Sequence, residues 1–291
     1  ATPLRRYAVD DFGGQTGGGL RIRKPELADS DWWTHKLHGP NNNPVSADTV
    51  FSFPPILQYR AMPMYSSYVG SALTADGVHV EINDWVYHSG GARKSLCGTI
   101  FARSVYNGRI LWQVMAPADI ETNTPLFAIA GDELLMASGK RAQILRRELH
   151  TGAEMAGIAL GGTDRRVKWL AIDDGILFAL LGEPHVTRTA FGYLAQRGIY
   201  KEQESGKALY GSELLGWRMD AGRVLWRHRE PAPIDFRTVA VYDGRLYFYS
   251  EKPRLVCLDA AEGRLIWENA DPAWTDGLRR PKVIRNHNLR G

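Results

Sequence analysis

The sequence predicts an all-β protein: a β-propeller of four-stranded blades, about four of them visible, as part of a seven- or eight-bladed ring. Three observations predict it. The phrase Leu258-Asp259-Ala260-Ala261-Glu262-Gly263-Arg264-Leu265-Ile266-Trp267 is repeated in its second half by Asp220-Ala221-Gly222-Arg223-Val224-Leu225-Trp226 and by Tyr106-Asn107-Gly108-Arg109-Ile110-Leu111-Trp112. A weaker echo from Leu149 to Met155 keeps Gly152 and has lost the tryptophan. A turn glycine followed four residues later by Trp, recurring along one chain, is the mark of a repeat architecture. Ahead of each phrase lies a second series of turn glycines, Gly77, Gly131, Gly175 and Gly244, between short apolar-alternating runs. Finally, the 9 Trp and 12 Tyr in 291 residues favour sheet.

Each unit reads as two hairpins. In the last, Arg237–Tyr242 turns at Asp243-Gly244 into Arg245–Ser250, and Arg254–Asp259 turns at Gly263 into Arg264–Glu268. Asp-Gly suits a type I′ turn, because both central residues need positive φ. The first unit runs through 71–74, 78–82, 98–105 and 109–114, the second through 126–130, 133–137, 142–149 and 154–160. The third opens with 167–172 and 176–181 and closes with 214–219 and 223–227. The interval near 182–211, with its polar stretch Tyr193 to Glu204, reads as an inserted surface or contact loop. Trp112, Trp226 and Trp267 read as packing between neighbouring sheets, since a flat indole fills the wedge between twisted layers.

Bulk properties narrow the function classes. The net charge of +4 resides in the tail, where Leu278 to Gly291 holds five basic residues and no acidic one, so the body is nearly neutral. No nucleic-acid motif accompanies that tail, and nucleic acid is not an expected partner. No apolar run is long enough to span a bilayer as a helix. Residues 1–30, including Gly13-Gly14-Gln15-Thr16-Gly17-Gly18-Gly19, read as a flexible lead-in, 31–270 as the repeat body and 271–291 as a basic tail. The chain opens at Ala1-Thr2-Pro3 without an initiator methionine and ends abruptly, the expectation for a processed exported protein or a fragment. Cys97 and Cys257 allow one intramolecular disulfide, or two free thiols.

The phrase Leu258-Asp259-Ala260-X-X-Gly263-X-X-X-Trp267 resembles the repeat of pyrroloquinoline-quinone-like (PQQ-like) β-propellers. That family includes quinoprotein alcohol dehydrogenases and the propeller lipoprotein of the outer-membrane barrel-assembly machinery. Asp31-Trp32-Trp33-Thr34-His35-Lys36-Leu37-His38-Gly39-Pro40-Asn41-Asn42-Asn43-Pro44-Val45-Ser46 resembles the segment that leads into the first blade, and the segment through Leu57-Gln58-Tyr59 resembles exported variants of planctomycete-like bacteria. The resemblance implies a periplasmic, extracellular or cell-surface location. It also implies a ring completed by a protein partner or by further polypeptide.

A quinoprotein of this resemblance would carry PQQ on Ca²⁺, with a vicinal cysteine pair that this sequence lacks. Glu81, Asn83 and Asp84 are the candidate hard-oxygen ligands. His35 and His38, beside Asp31, offer a second polar cluster. No haem-attachment motif, nucleophile elbow or phosphate loop occurs. The expectation is therefore an exported binding or scaffolding module without an identified catalytic site. The alternative is a quinone-dependent dehydrogenase or redox-complex subunit whose cofactor site lies on other or divergent blades.

Overall fold

The computed structural model describes residues 8–11, 20–23, 28–50, 54, 59–60, 69–83, 99–116, 126–138, 141–162, 164–184 and 210–275. The Gly13–Gly19 stretch, Leu57-Gln58, Asp84, Cys97, the Tyr193–Glu204 segment and the tail beyond Thr275 lie outside these residues.

Antiparallel strands account for nearly all of the described body. A hairpin of β1 (Ala8–Asp11) and β2 (Leu20–Arg23) stands apart. The first four-stranded sheet is β3 (Val69–Ala75), β4 (Val78–Asn83), β5 (Thr99–Ser104) and β6 (Ile110–Met115), paired in chain order. The second is β7 (Phe127–Ala130), β8 (Glu133–Ala137), β9 (Gln143–Glu148) and β10 (Glu154–Ala159), likewise in chain order. The Asp76-Gly77, Asp174-Gly175 and Asp243-Gly244 turns each place both residues at positive φ.

The third and fourth units depart from expectation. They form one eight-stranded sheet: β11 (Arg166–Asp173), β12 (Ile176–Gly182), β13 (Tyr210–Arg218), β14 (Arg223–Asp235), β16 (Arg245–Ser250), β17 (Arg254–Asp259) and β18 (Leu265–Asn269), with β15 (Ala240–Tyr242) beside β16. The join is a single register pair, Ile234↔Ser250. Strand β14 is much longer than the expected 223–227, because it bulges between Arg229 and Ile234 and then continues. Pro231 and Pro233 cannot donate to a ladder, so the strand bulges from β13 there; it pairs β13 again at Ile234 and Asp235, where Ile234 also meets β16. The expected strand 237–242 is likewise split, with a 3₁₀ turn at Phe236–Thr238 capped by Asp235.

The β-propeller expectation is therefore corrected. Among the described residues no sheet closes into a ring: no final strand pairs with a first one, and units three and four are not separate blades. The arrangement is an open, all-β series of antiparallel sheets.

Two apolar cores hold the series together. One runs from Leu73 and Ile100 through Leu135 and Ile144 to Leu177 and Leu215, spanning the first two sheets and one face of the third. The other joins Trp169, Phe178 and Leu214 to Leu246, Phe248 and Leu258. A strap, residues 33–42, ties the first strands of all four units. The Trp33 carbonyl accepts from the Thr74 N–H at 2.7 Å, the Thr34 carbonyl from Ile129 at 2.9 Å and the Pro40 carbonyl from Val241 at 2.9 Å. His35 Nε2 accepts from the Ile172 N–H at 3.0 Å. An irregular segment thus satisfies four backbone donors that the sheets leave over.

Candidate functional site

The repeated phrase builds a plug and a socket. Trp112, on β6, lies on the Gly152 turn of the second sheet, where a Cβ on Gly152 would stand 2.6 Å from the indole. Its Nε1 donates to the Leu149 carbonyl at 2.7 Å. Trp226 repeats this on the Gly263 turn, with an imagined Cβ at 2.4 Å and Nε1 donating to the Ala260 carbonyl at 2.9 Å. In each case the accepting carbonyl lies three residues before the glycine, and the glycine has positive φ. Glycine is required twice over: for the left-handed backbone and for the close approach of the ring. Both indoles are buried, at 7% and 8% exposure.

Trp267 has the same place in the phrase and a different environment. No described glycine turn covers it, and it is 41% exposed. It touches Tyr247 across the ladder, with ring centroids 6.2 Å apart. Leu265 and Ile266 on the same terminal strand and Trp274 in the following helical turn (Pro272–Thr275) are exposed too. Among the described strands, β18 pairs only with β17. An apolar, unpaired terminal strand is the feature that soluble proteins ordinarily cover or blunt.

Of the other glycines in the phrase and turn series, Gly108 and Gly222 close their turns with the same N–H to carbonyl bond four residues back, at 2.9 and 3.0 Å. Gly77 abuts the Tyr106 ring, with an imagined Cβ at 2.8 Å. Gly131, Gly222 and Gly244 have nothing within 4 Å of a Cβ, and Gly175 meets only Arg218 at 3.6 Å.

Of the candidate cation ligands Glu81, Asn83 and Asp84, only the Glu81 side chain is described. Glu81 Oε1 is 3.3 Å from His79 Nε2 and 3.6 Å from Arg103 Nε. The Arg103 guanidinium thus supplies the positive charge that Glu81 faces. Only the backbone of Asn83 is described, and Asp84 lies outside the described residues. The other Glu81 carboxylate oxygen, Oε2, is buried without a hydrogen-bond partner. His35 and His38 serve separate partners. His38 Nε2 lies 2.6 Å from Asp31 Oδ2. Partial burial opposes the Asp31 charge, but bonds from Ala47, His38, Trp32 and Ser46 outweigh it and hold the carboxyl below its usual range.

His35 is 5% exposed, and burial, reinforced by the His38 charge, lowers its pKa from 6.5 to about 4. Accepting at Nε2 puts the proton on Nδ1, which donates to Thr34 Oγ1 at 2.8 Å. Folding therefore favours neutral His35: the contribution is complete above pH 6.5 and is lost as pH falls towards 4. The expected loss over that interval is about 3 kcal/mol. Urea unfolding of wild type and His35→Gln at pH 7 and pH 4 checks this, the variant lacking that share of the pH dependence.

One cluster escaped sequence reasoning. Asp76, Asp132 and His150, from three turns of two sheets, place one ligand atom each within 4.8 Å of the others. His150 Nε2 is 2.9 Å from Asp76 Oδ2, a bond that joins the first sheet to the second. An imidazole with two carboxylates is a nitrogen–oxygen set of the kind divalent metals accept. The sequence signal was each residue's closeness to a turn glycine: Gly77, Gly131 and Gly152. Elsewhere a cleft of about 370 Å³ is lined by Arg165, Arg227, Arg229 and Glu213; the Glu213 carboxylate pairs with Arg227 and Arg229, and Arg165 donates to Ser212 Oγ. Cys257 is a free, buried thiol whose pKa burial raises, the state of an unreactive core cysteine. Among the described residues, no helix is long and apolar enough to cross a membrane.

Comparison with known proteins places part of the chain. No curated protein matches it by sequence. Residues 215–283 match the family model described as outer membrane protein assembly factor BamB. Among solved structures, BamB from Moraxella catarrhalis is similar at 16% identity, over 68% of this chain and 47% of that one, with a TM-score of 0.42. A europium-containing methanol dehydrogenase is similar at 13% identity, over 70% of this chain and 41% of that one, with a TM-score of 0.45. The computationally designed Ika4 protein is similar at 12% identity, over 70% of this chain and 98% of that one, with a TM-score of 0.42. The chain spans less than half the length of the first two. Through residues 215–283 it is a distant relative of the PQQ-like family of BamB type, a match that does not single out a planctomycete variant.

Proposed function

We propose that the chain is a protein-binding, scaffolding module that works outside the cytoplasm as part of a larger assembly. One observation carries this: strand β18 exposes Leu265, Ile266 and Trp267 to solvent, and Trp274 in the helical turn that follows is exposed too. Tryptophan at the centre of such a patch is the side chain that most often anchors a protein interface. The unpaired edge of the same strand adds main-chain donors and acceptors. The BamB description of the family matched over 215–283 supports both an assembly role and an extracytoplasmic place, since that range contains the exposed strand.

A photo-crosslinking residue at position 266, with position 242 as the control, tests the reading in the native host. Tyr242 is more exposed than Ile266, at 63% against 40%, and lies outside the patch. The expected result is a discrete covalent adduct from 266 and none from 242. Equal labelling, or none at either position, would overturn it.

A further inference from the structure

Among the described residues, one indole of the phrase lies on no glycine turn, and one turn of the phrase, at Gly222, is shown with no indole on it. Trp267 is the plug. The socket is the Gly222 turn, which has the features of the two filled sockets: glycine at φ +61 and the N–H of Gly222 bonded to the Arg218 carbonyl at 3.0 Å. The carbonyl three residues ahead, in the place of Leu149 and Ala260, belongs to Met219. In the filled sockets an imagined glycine Cβ collides with an indole, whereas Gly222 has nothing within 4 Å and is exposed. In the second unit the residue four after Gly152 is Ala156, itself exposed, where the other units have Trp.

We infer that Trp267 of one copy seats on the Gly222 turn of a second copy of this chain, its Nε1 donating to the Met219 carbonyl. This rests on the reading of β18 as a protein-binding face and names what that face binds. Plug and socket are different surfaces, so the contact is heterologous and propagates head to tail unless it closes. The match is one of shape and hydrogen bonding: a flat aromatic donor for a bare left-handed turn, already used twice inside the chain between successive units. No other tryptophan at this place in the phrase is exposed.

Two variants separate the halves. Trp267→Ala removes the plug and leaves the Gly222 socket. Ala156→Trp fills the chain's own socket and leaves Trp267. Sedimentation velocity over a rising concentration series should show wild-type mass growing with concentration and both variants staying monomeric. Mixed together, the variants should form a one-to-one complex that grows no further, since one supplies only the plug and the other only the socket. Circular dichroism and melting of each variant checks folding, and Ala156→Trp should melt higher than wild type as its new indole is buried. A wild type that stays monomeric, an Ala156→Trp chain that associates as wild type does, or a mixture that forms no complex would overturn the inference. If the wild type is monomeric while position 266 still crosslinks to a different protein, the scaffold reading stands and only the second-copy assignment falls.

Discussion

Trp226→Ala is expected to destabilise the protein by about 3–5 kcal/mol, the cost of a large buried aromatic whose neighbours cannot collapse into the space. Trp267→Ala in dilute solution is expected to cost about 1 kcal/mol or less, because its main contact is one cross-strand ring. The two residues share a sequence context, so the contrast isolates what the socket contributes. Trp226 is seated between Phe178, at 6.1 Å between centroids, and the Gly263 turn, with its N–H on the Ala260 carbonyl. Gly263→Ala attacks the same socket from the other side. Its Cβ would lie 2.4 Å from the indole at a backbone φ of +68, so overpacking and left-handed strain both oppose it. In the double variant the smaller ring space relieves the clash, and the two costs should sum to less than their separate values. Equilibrium urea unfolding of the four proteins measures this. Equal losses at Trp226 and Trp267 would mean that the sockets are not what holds successive units together.

That contrast also marks how far the sequence could be read. Gly-X-X-X-Trp specified a turn, a strand and a packing side chain at Trp112, Trp226 and Trp267 alike. Whether an indole is covered depends on which turn follows it in space, and four residues of local pattern hold no such information. The strand pairs were legible because alternation and Asp-Gly turns are local. The union of units three and four was not. Pro231 and Pro233 argue against a strand at 231–235, and it is one because Ile234 and Asp235 pair Gly211 and Tyr210 while Ile234 also meets Ser250. Ring closure was inferred from the repeat and is absent from the sheet order, because a repeat fixes neighbours and leaves the fate of the ends open. The polar residues followed the same rule. Glu81 is a candidate ligand because it stands near Asn83 and Asp84 in sequence, and its pairing with His79 and Arg103 comes from neighbouring strands that no local pattern shows. Asp76, Asp132 and His150 were unremarked because three turns had to converge before they formed a group.

The join itself should be the most sensitive electrostatic position in the molecule. Glu230, on the bulged part of β14, has a fully buried carboxylate that accepts from Arg254 Nη2 at 2.7 and 2.8 Å and from Arg254 Nε at 3.2 Å. Ser250 Oγ donates to it at 3.0 Å, and His228 Nε2 lies at 3.2 Å. These groups come from β14, β16 and β17, and Arg254 also reaches Glu268 on β18. The hydrogen bonding of Arg254 to Glu230 is the leading reason the guanidinium is held above its ordinary pKa. Glu230→Ala removes the acceptor for two guanidinium nitrogens and a hydroxyl that have few other partners, and is expected to cost about 3–5 kcal/mol. Because the carboxylate is buried, that cost should persist in high salt, unlike the loss of a surface pair. Glu230→Gln keeps acceptor geometry on one oxygen and should lie between wild type and alanine. Replacing both members, as Glu230→Met with Arg254→Met, should recover most of the loss, since an apolar pair of similar volume carries no desolvation penalty. A double-variant cycle by chemical unfolding at low and high ionic strength reads all three expectations. If Glu230→Ala unfolds the sheet beyond β14 first, with hydrogen exchange rising in β16 to β18 before β11 to β13, then the ion cluster, rather than the one ladder pair at Ile234, is what makes two units into one sheet.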